Sequence, residues 1–310
     1  MSMDKMHKQT ERKLSALERR MKTEYRIAYE ELSEKLTKYL EEFSVEDAKK
    51  KALYEAGKLT KQEYTKWRNE QMLLNRRWRS LRDKIAKELV KVDNTAISLV
   101  NSTATGVFVD NANYGAYEVE TGFGLSTDFT LYNEQTVELL FDETGLTKTI
   151  NISKDFEWNK KNISSAVLQG ILQGEAIPKI AERLETATGM SYKAAVRSAR
   201  TMITGAENAG RLQGYRDLAE RGLITEKIWM ATLSPRTRDS HRLVDMETVG
   251  IDESFSNGLM YPGDPSGEPA EVYNCRCTMI AKTVHATDDA LRRWSELDSD
   301  ISYEEWKNGK

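Results

Sequence analysis

The chain has 310 residues, 39% of them hydrophobic and 31% charged, with a formal net charge of −3, which allows two domains and an ordinary core. No stretch approaches the roughly 18 consecutive apolar residues of a membrane span, and the start, Met1-Ser2-Met3-Asp4-Lys5, leads into charged helical sequence rather than a secretion signal. The expected place of action is a cytoplasm, or a particle packaged from one.

The net charge hides an asymmetry. Residues 1–90 hold 23 Lys/Arg against 16 Asp/Glu, and the remainder 23 against 33. A basic helical arm on an acidic body suits two different partners; ordinary charge scatter on a solvated helix face gives the same count.

Residues 11–43 read as one amphipathic helix, with Leu14, Leu17, Met21, Tyr25, Ala28, Leu32, Leu36, Tyr39 and Phe43 at steps of three and four. A second helix is predicted after Ser44, stopping at Gly57. Thr60 and Glu63 form a capping box for a third, which includes Tyr64, Leu73, Trp78 and Leu81 and runs past Leu89 toward Leu99. Between Asn101 and Gly124 small, β-branched and aromatic residues replace charge. This stretch is either a continuing helix with Tyr114 and Tyr117 on one face or a hairpin around Asn111–Asn113. Asp128–Phe141 and Thr147–Asp155 read as a mixed linking region with a short helix over Glu134–Phe141.

From Asn162 the pattern is again helical: Ile163–Gln173, ended by Gly174; Pro178–Thr186, with Gly189 behind it; and a long helix from Ser191 to about Gly222. The last presents Ala195, Ala199, Met202, Ala206 and Ala209 inward, small enough for close approach of a neighbour. Lys193, Arg197, Arg200, Arg211 and Arg216 are placed on its outer face, where they are either a DNA-backbone contact or a solvated row. The period then changes to two, with strands over Lys227–Thr232 and Cys277–Lys282 and four of the five prolines between them or at their edges. The fold class is α+β and mostly helical: a helical arm (1–100), a mixed linking region (101–160), a helical domain with a small antiparallel sheet (161–285) and a tail (286–310).

The segment between the two strands is the most informative. A strand bearing Trp229 ends near Thr232, and Ser234-Pro235 opens a turn that displays Arg236, Arg238, Asp239 and His241. A loop Tyr261-Pro262-Gly263-Asp264-Pro265 follows, then Asn274-Cys275-Arg276-Cys277. This order resembles the head morphogenesis domain of the Mu F-like family of minor head proteins in tailed phages, over about residues 160–285. The helix Ala199–Tyr215, with Glu207-Asn208-Ala209-Gly210-Arg211, resembles the family's as well. Asn113–Glu118 and the helical arm are more weakly similar to minor head proteins of phages of Gram-positive hosts.

The resemblance implies a structural virion role without enzymatic activity. A few copies would sit inside the capsid or at the portal vertex, meeting the portal protein, capsid or scaffold protein and packaged double-stranded DNA, and aiding head assembly and DNA packaging or delivery. No membrane partner is expected. Larger relatives sometimes carry a toxin domain after this module; with 25 residues beyond His285, none is expected here.

Cys275 and Cys277, the only cysteines, argue against a disulfide scaffold, because a bridge between them closes a small strained ring. With His241 they offer three soft donors for a structural zinc, with Asp239 or Asp264 as a fourth. Without metal, the cysteines are reduced and half-buried, and His241 bonds a loop carbonyl. A cysteine nucleophile with His241 as base, or a nuclease, hydrolase or transferase cleft lined by Arg238, Asp239, His241 and Glu271, is the alternative enzymatic reading. Arg238 and Asp239 are more simply a salt-bridged turn.

Overall fold

Helix occupies almost all of the first 123 residues in the computed structural model, which describes residues 5–73, 75–137, 156–173, 175 and 177–310. α1 spans Lys5–Glu55, α2 Lys61–Leu73 and α3 Arg76–Phe123. The break expected at Ser44 is absent, since neither Gly nor Pro interrupts the chain until Gly57. There a left-handed backbone (φ 72°) closes the helix, with the Lys58 N–H donating to the Leu53 carbonyl. The capping box at Thr60 is present: its hydroxyl accepts the Glu63 N–H at 3.2 Å and its N–H donates to Glu63 at 2.8 Å. The predicted third helix is instead two. Asn75 interrupts it and caps α3 by accepting the Arg77 N–H at 2.8 Å. Of the two readings of 101–124, the helix holds.

Residues 134–137 are helical; the rest of the helix expected to Phe141, the stretch 147–155 and Gly174 lie outside the described residues. α4 covers Phe156–Leu172, and α5 runs unbroken from Ile177 to Glu220, correcting the two helices expected there. An isolated interior Gly costs only about 1 kcal/mol relative to Ala, too little for Gly189 to end a long packed helix.

β2 (Leu223–Met230) is the centre of a three-stranded antiparallel sheet, flanked by β3 (Thr248–Gly250) and β4 (Thr278–Ala286). Trp229 stands opposite Met279, and Ile228 opposite Ile280. β1 (Leu125–Ser126) pairs with β5 (Ser295–Glu296). The short helices are α6 (Asp239–Leu243), α7 (Pro269–Val272), α8 (Asp288–Arg293) and α9 (Tyr303–Asn308). The protein is thus mostly helical α+β.

The chain divides into two units. One comprises residues 19–97 and 151–195. Its core joins Leu32, Leu36 and Leu40 of α1 to Trp78, Ile85 and Leu89 of α3 and Ile163 and Val167 of α4. Phe43 stacks on Trp67 at 5.9 Å, and Tyr54 on Tyr64 at 5.7 Å, tying α1 to α2.

The other unit comprises residues 1–18, 98–150 and 196–310. Its helices α3 and α5 approach closely. A Cβ on Gly214 would lie 2.3 Å from the Ala112 carbonyl oxygen, and one on Gly210 would lie 2.5 Å from that of Phe108. A core of Val119, Phe129, Leu212, Tyr215, Leu223, Met279 and Trp306 covers one part of this unit. Trp306 Nε1 donates to the buried Glu120 at 2.6 Å, and Lys310 Nζ donates to the same carboxylate at 2.8 Å. A smaller core around Trp229 supports the site.

Candidate metal centre

Alternation along β2 buries Leu223, Thr225, Lys227 and Trp229. The Trp229 indole meets the His241 ring edge-on at 5.2 Å and Phe255 at 5.1 Å. Val244, Leu259, Val272, Cys275 and Cys277 complete this small core. The turn before α6 is held by hydroxyls: Thr237 donates to the Thr232 carbonyl and Thr232 to that of Arg276. Arg242 reaches the Ser234 carbonyl at 2.9 Å.

These contacts deliver His241, 1% exposed, between the two cysteines, each 2% exposed. Its Nδ1 lies 3.6 Å from Cys275 Sγ and 3.5 Å from Cys277 Sγ. Nε2 lies 3.2 Å from Glu271 Oε2, close enough for an ion pair though not in hydrogen-bond alignment. Ser240 Oγ donates to the same carboxylate oxygen at 2.7 Å. The sulfurs influence each other. A hydrogen bond from the Cys275 thiol, aided by His241 and opposed by burial, lowers the Cys277 pKa; the same bond and burial raise that of Cys275. The two therefore favour one thiol and one thiolate. The cysteines are free and fully buried, and His241 turns Nδ1 to sulfur rather than to a loop carbonyl.

Polar residues of α5 align the cysteine strand. Thr204 Oγ1 donates to the Cys275 carbonyl at 2.8 Å, Asn208 Nδ2 to that of Cys277 at 3.2 Å, and Arg211 to that of Met279 at 2.9 Å. Residues 204, 208 and 211 share one helical face, and the carbonyls they meet belong to alternate residues, 275, 277 and 279, of the run into β4. Glu207 beside them accepts from Thr278 Oγ1 at 2.9 Å and lies 2.7 Å from His7 Nδ1. Asn274 takes a left-handed backbone (φ 57°), which Asn tolerates, and its N–H donates to Thr201 at 3.1 Å. Gly263 (φ 82°) lies against Gly205, where a Cβ would come within 2.8 Å of the Gly205 nitrogen.

The other sequence-predicted residues fall into place around this centre. Pro262 and Asp264 are buried, and Asp264 accepts the N–H groups of Met260 at 3.0 Å and Ser266 at 2.9 Å. It braces the loop and does not join the three donors; exposed Asp239 does not join them either. Arg238 donates to the Tyr273 carbonyl, so it ties α6 to the end of α7 instead of forming the expected pair with Asp239. Arg236 is exposed.

The arginine row does not share a face. Arg197 is exposed, and Arg200 binds Glu18 at 2.6 Å. Arg211, expected outside, is fully buried and bound to Asn111 at 3.2 Å as well as Met279. It lies on the face of Thr204 and Asn208, so it offers nothing to a DNA backbone. Sequence reasoning missed Thr204 and Asn208 as strand-holding residues; their spacing from Arg211 was the available signal.

Residues 161–280 match the family described as Phage Mu protein F like protein. That region coincides with the stretch whose motif order resembles the Mu F-like minor head proteins. Minor head protein GP7 of Bacillus phage SPP1 is 25% identical over 240 residues, covering 73% of this chain and 77% of that protein. The NAD(+)–arginine ADP-ribosyltransferase EFV of Enterococcus faecalis is 32% identical over 151 residues, or 47% of this chain. The chain spans only 31% of that transferase's length. No solved structure matches it. The Mu F-like region contains the whole centre: Trp229, His241, Glu271, Cys275 and Cys277, with the α5 residues that hold the strand.

Proposed function

We propose that this Mu F-like protein is a structural component of the phage head without enzymatic activity. It sits at the portal vertex or inside the capsid and aids head assembly and DNA packaging or delivery. The observation that carries this reading is the similarity to the SPP1 minor head protein, which extends over 240 residues and so well beyond the Mu F-like region. The geometry agrees with it. Arg238 is engaged by a backbone carbonyl, Glu271 by Ser240, and His241 is buried between sulfur and indole. Each of these groups already has a partner within the fold.

The helical arm is the part proposed to meet the portal protein. Val45 (57% exposed) and Leu53 (38%) are large apolar side chains left outward there. Its excess of basic residues suits packaged DNA, bound through phosphates and without regard to sequence. The test is co-purification of the full chain with the portal protein of the same phage, beside a Val45→Asp/Leu53→Asp double variant. Retention of wild type and loss of most of the variant is expected; equal recovery of both would remove the arm from the docking surface.

The similarity to an arginine ADP-ribosyltransferase motivates a second reading, transfer chemistry from NAD(+). Incubation with NAD(+) and an arginine acceptor is expected to give no transfer. Transfer abolished by Glu271→Gln would replace the structural reading.

A further inference from the structure

We propose that His241, Cys275 and Cys277 bind one zinc ion, with Glu271 orienting the imidazole from behind. Zinc–sulfur bonds of about 2.3 Å and zinc–nitrogen bonds of about 2.05 Å in a tetrahedron put sulfur and nitrogen about 3.6 Å apart. The two distances from His241 Nδ1 to the sulfurs are 3.6 and 3.5 Å. Hydrogen bonding alone explains this pair of distances poorly. A hydrogen bond at Nδ1, whether given or received, engages one sulfur, yet both sulfurs stand at nearly the same distance from it. A shared centre uses both.

The surroundings point the same way. Glu271 lies 3.2 Å from Nε2 and is itself held by Ser240. The carboxylate thus stands on the Nε2 side of the ring, while the Nδ1 side faces the sulfurs. Thr204 and Asn208 fix the carbonyls of both cysteines from α5, so the two sulfur donors sit on a braced segment just before β4. Among the described residues no fourth His, Cys, Asp or Glu joins the three, and a water completes the tetrahedron. Both cysteines bind as thiolates, so binding releases the thiol protons they carry to solvent. Between β2 and β4 the chain is loop and short elements, with β3 its only strand; a metal there closes a long, weakly laddered loop. Nitrogen and sulfur donors select zinc over calcium or magnesium.

The experiment is multi-element metal analysis of the full chain purified without chelator, then cobalt(II) titration of the chelator-stripped protein. The expected result is one zinc per chain and a thiolate-to-cobalt charge-transfer band. Glu271→Gln should keep that stoichiometry with affinity weakened about 10- to 100-fold. The Cys277→Ser/His241→Ala double variant should lose zinc while keeping its helical circular dichroism. Less than a tenth of an equivalent of zinc with no cobalt band, or undiminished zinc in the double variant, overturns the proposal. Should that variant fail to fold, the cobalt titration of wild type decides alone.

Discussion

Replacing Gly214 with alanine inverts the usual sign of a glycine-to-alanine change in a helix. In an unobstructed helix interior the substitution gains about 1 kcal/mol. Here the new Cβ meets the Ala112 carbonyl oxygen at 2.3 Å and the Ala116 nitrogen at 2.9 Å. Both obstacles are backbone, so no rotamer change relieves them and α3 and α5 must separate. Overpacking of this kind costs about 1–3 kcal/mol. Separation also lengthens the Arg211–Asn111 and Tyr215–Glu118 bonds, now 3.2 and 2.9 Å. The expected net effect is a destabilisation of about 1–2 kcal/mol. Gly106, also within α3, is the control: its Cβ would find nothing nearer than Glu134 Oε1 at 3.5 Å, so Gly106→Ala should stabilise. Urea midpoints at matched m-values read both variants. A Gly214→Ala midpoint at or above wild type refutes the close approach.

Two further perturbations test the polar interior. Arg211→Met strips donors from Asn111, Glu118 and the Met279 carbonyl and should cost about 3–5 kcal/mol, as expected for breaking a buried ion pair; a denaturation loss under about 1 kcal/mol would contradict a structural role. Lys227 is buried, with Nζ donating to the Ile251 carbonyl at 2.9 Å, and burial, reinforced by Arg216, lowers its pKa from 10.5 to about 8. Between those pH values the unfolded chain holds more protons than the folded one, so this group makes stability rise with pH, by at most about 1.4 kcal/mol per pH unit. Subtracting the pH–stability curve of Lys227→Met should expose that rise; a flat difference would place Lys227 in solvent.

Where the sequence is periodic and punctuated, it anticipates the fold. Gly57 and the Thr60–Glu63 box mark real helix ends, and the two long strands lie close to where alternation puts them. The misses have physical causes. Ser44 and Gly189 are weak breakers, overridden by packing along long helices, whereas Asn75 ends one helix and caps the next through a single side-chain bond. β3 is three residues long and pairs only through β2, so it leaves almost no local signature. His241 and the cysteines were legible as soft donors, but their convergence depends on contacts more than 30 residues apart in sequence. Arg211 shows the limit most clearly. Charge placed it outside, while the carbonyl it serves, in line with the carbonyls held by Thr204 and Asn208, belongs to a strand 68 residues away.

Those carbonyls also restrict how the module can assemble. At the entry to β4 the carbonyls of Cys275, Cys277 and Met279 are already occupied by side chains of α5, and the opposite margin of the sheet is only the three residues of β3. Growth of the sheet by an incoming strand, a common route to joining copies or partners, therefore finds its hydrogen-bonding groups already taken at the entry to β4 and only a short template at β3. A strand added at that entry would have to displace Thr204, Asn208 and Arg211, and with them the register that holds the two cysteines.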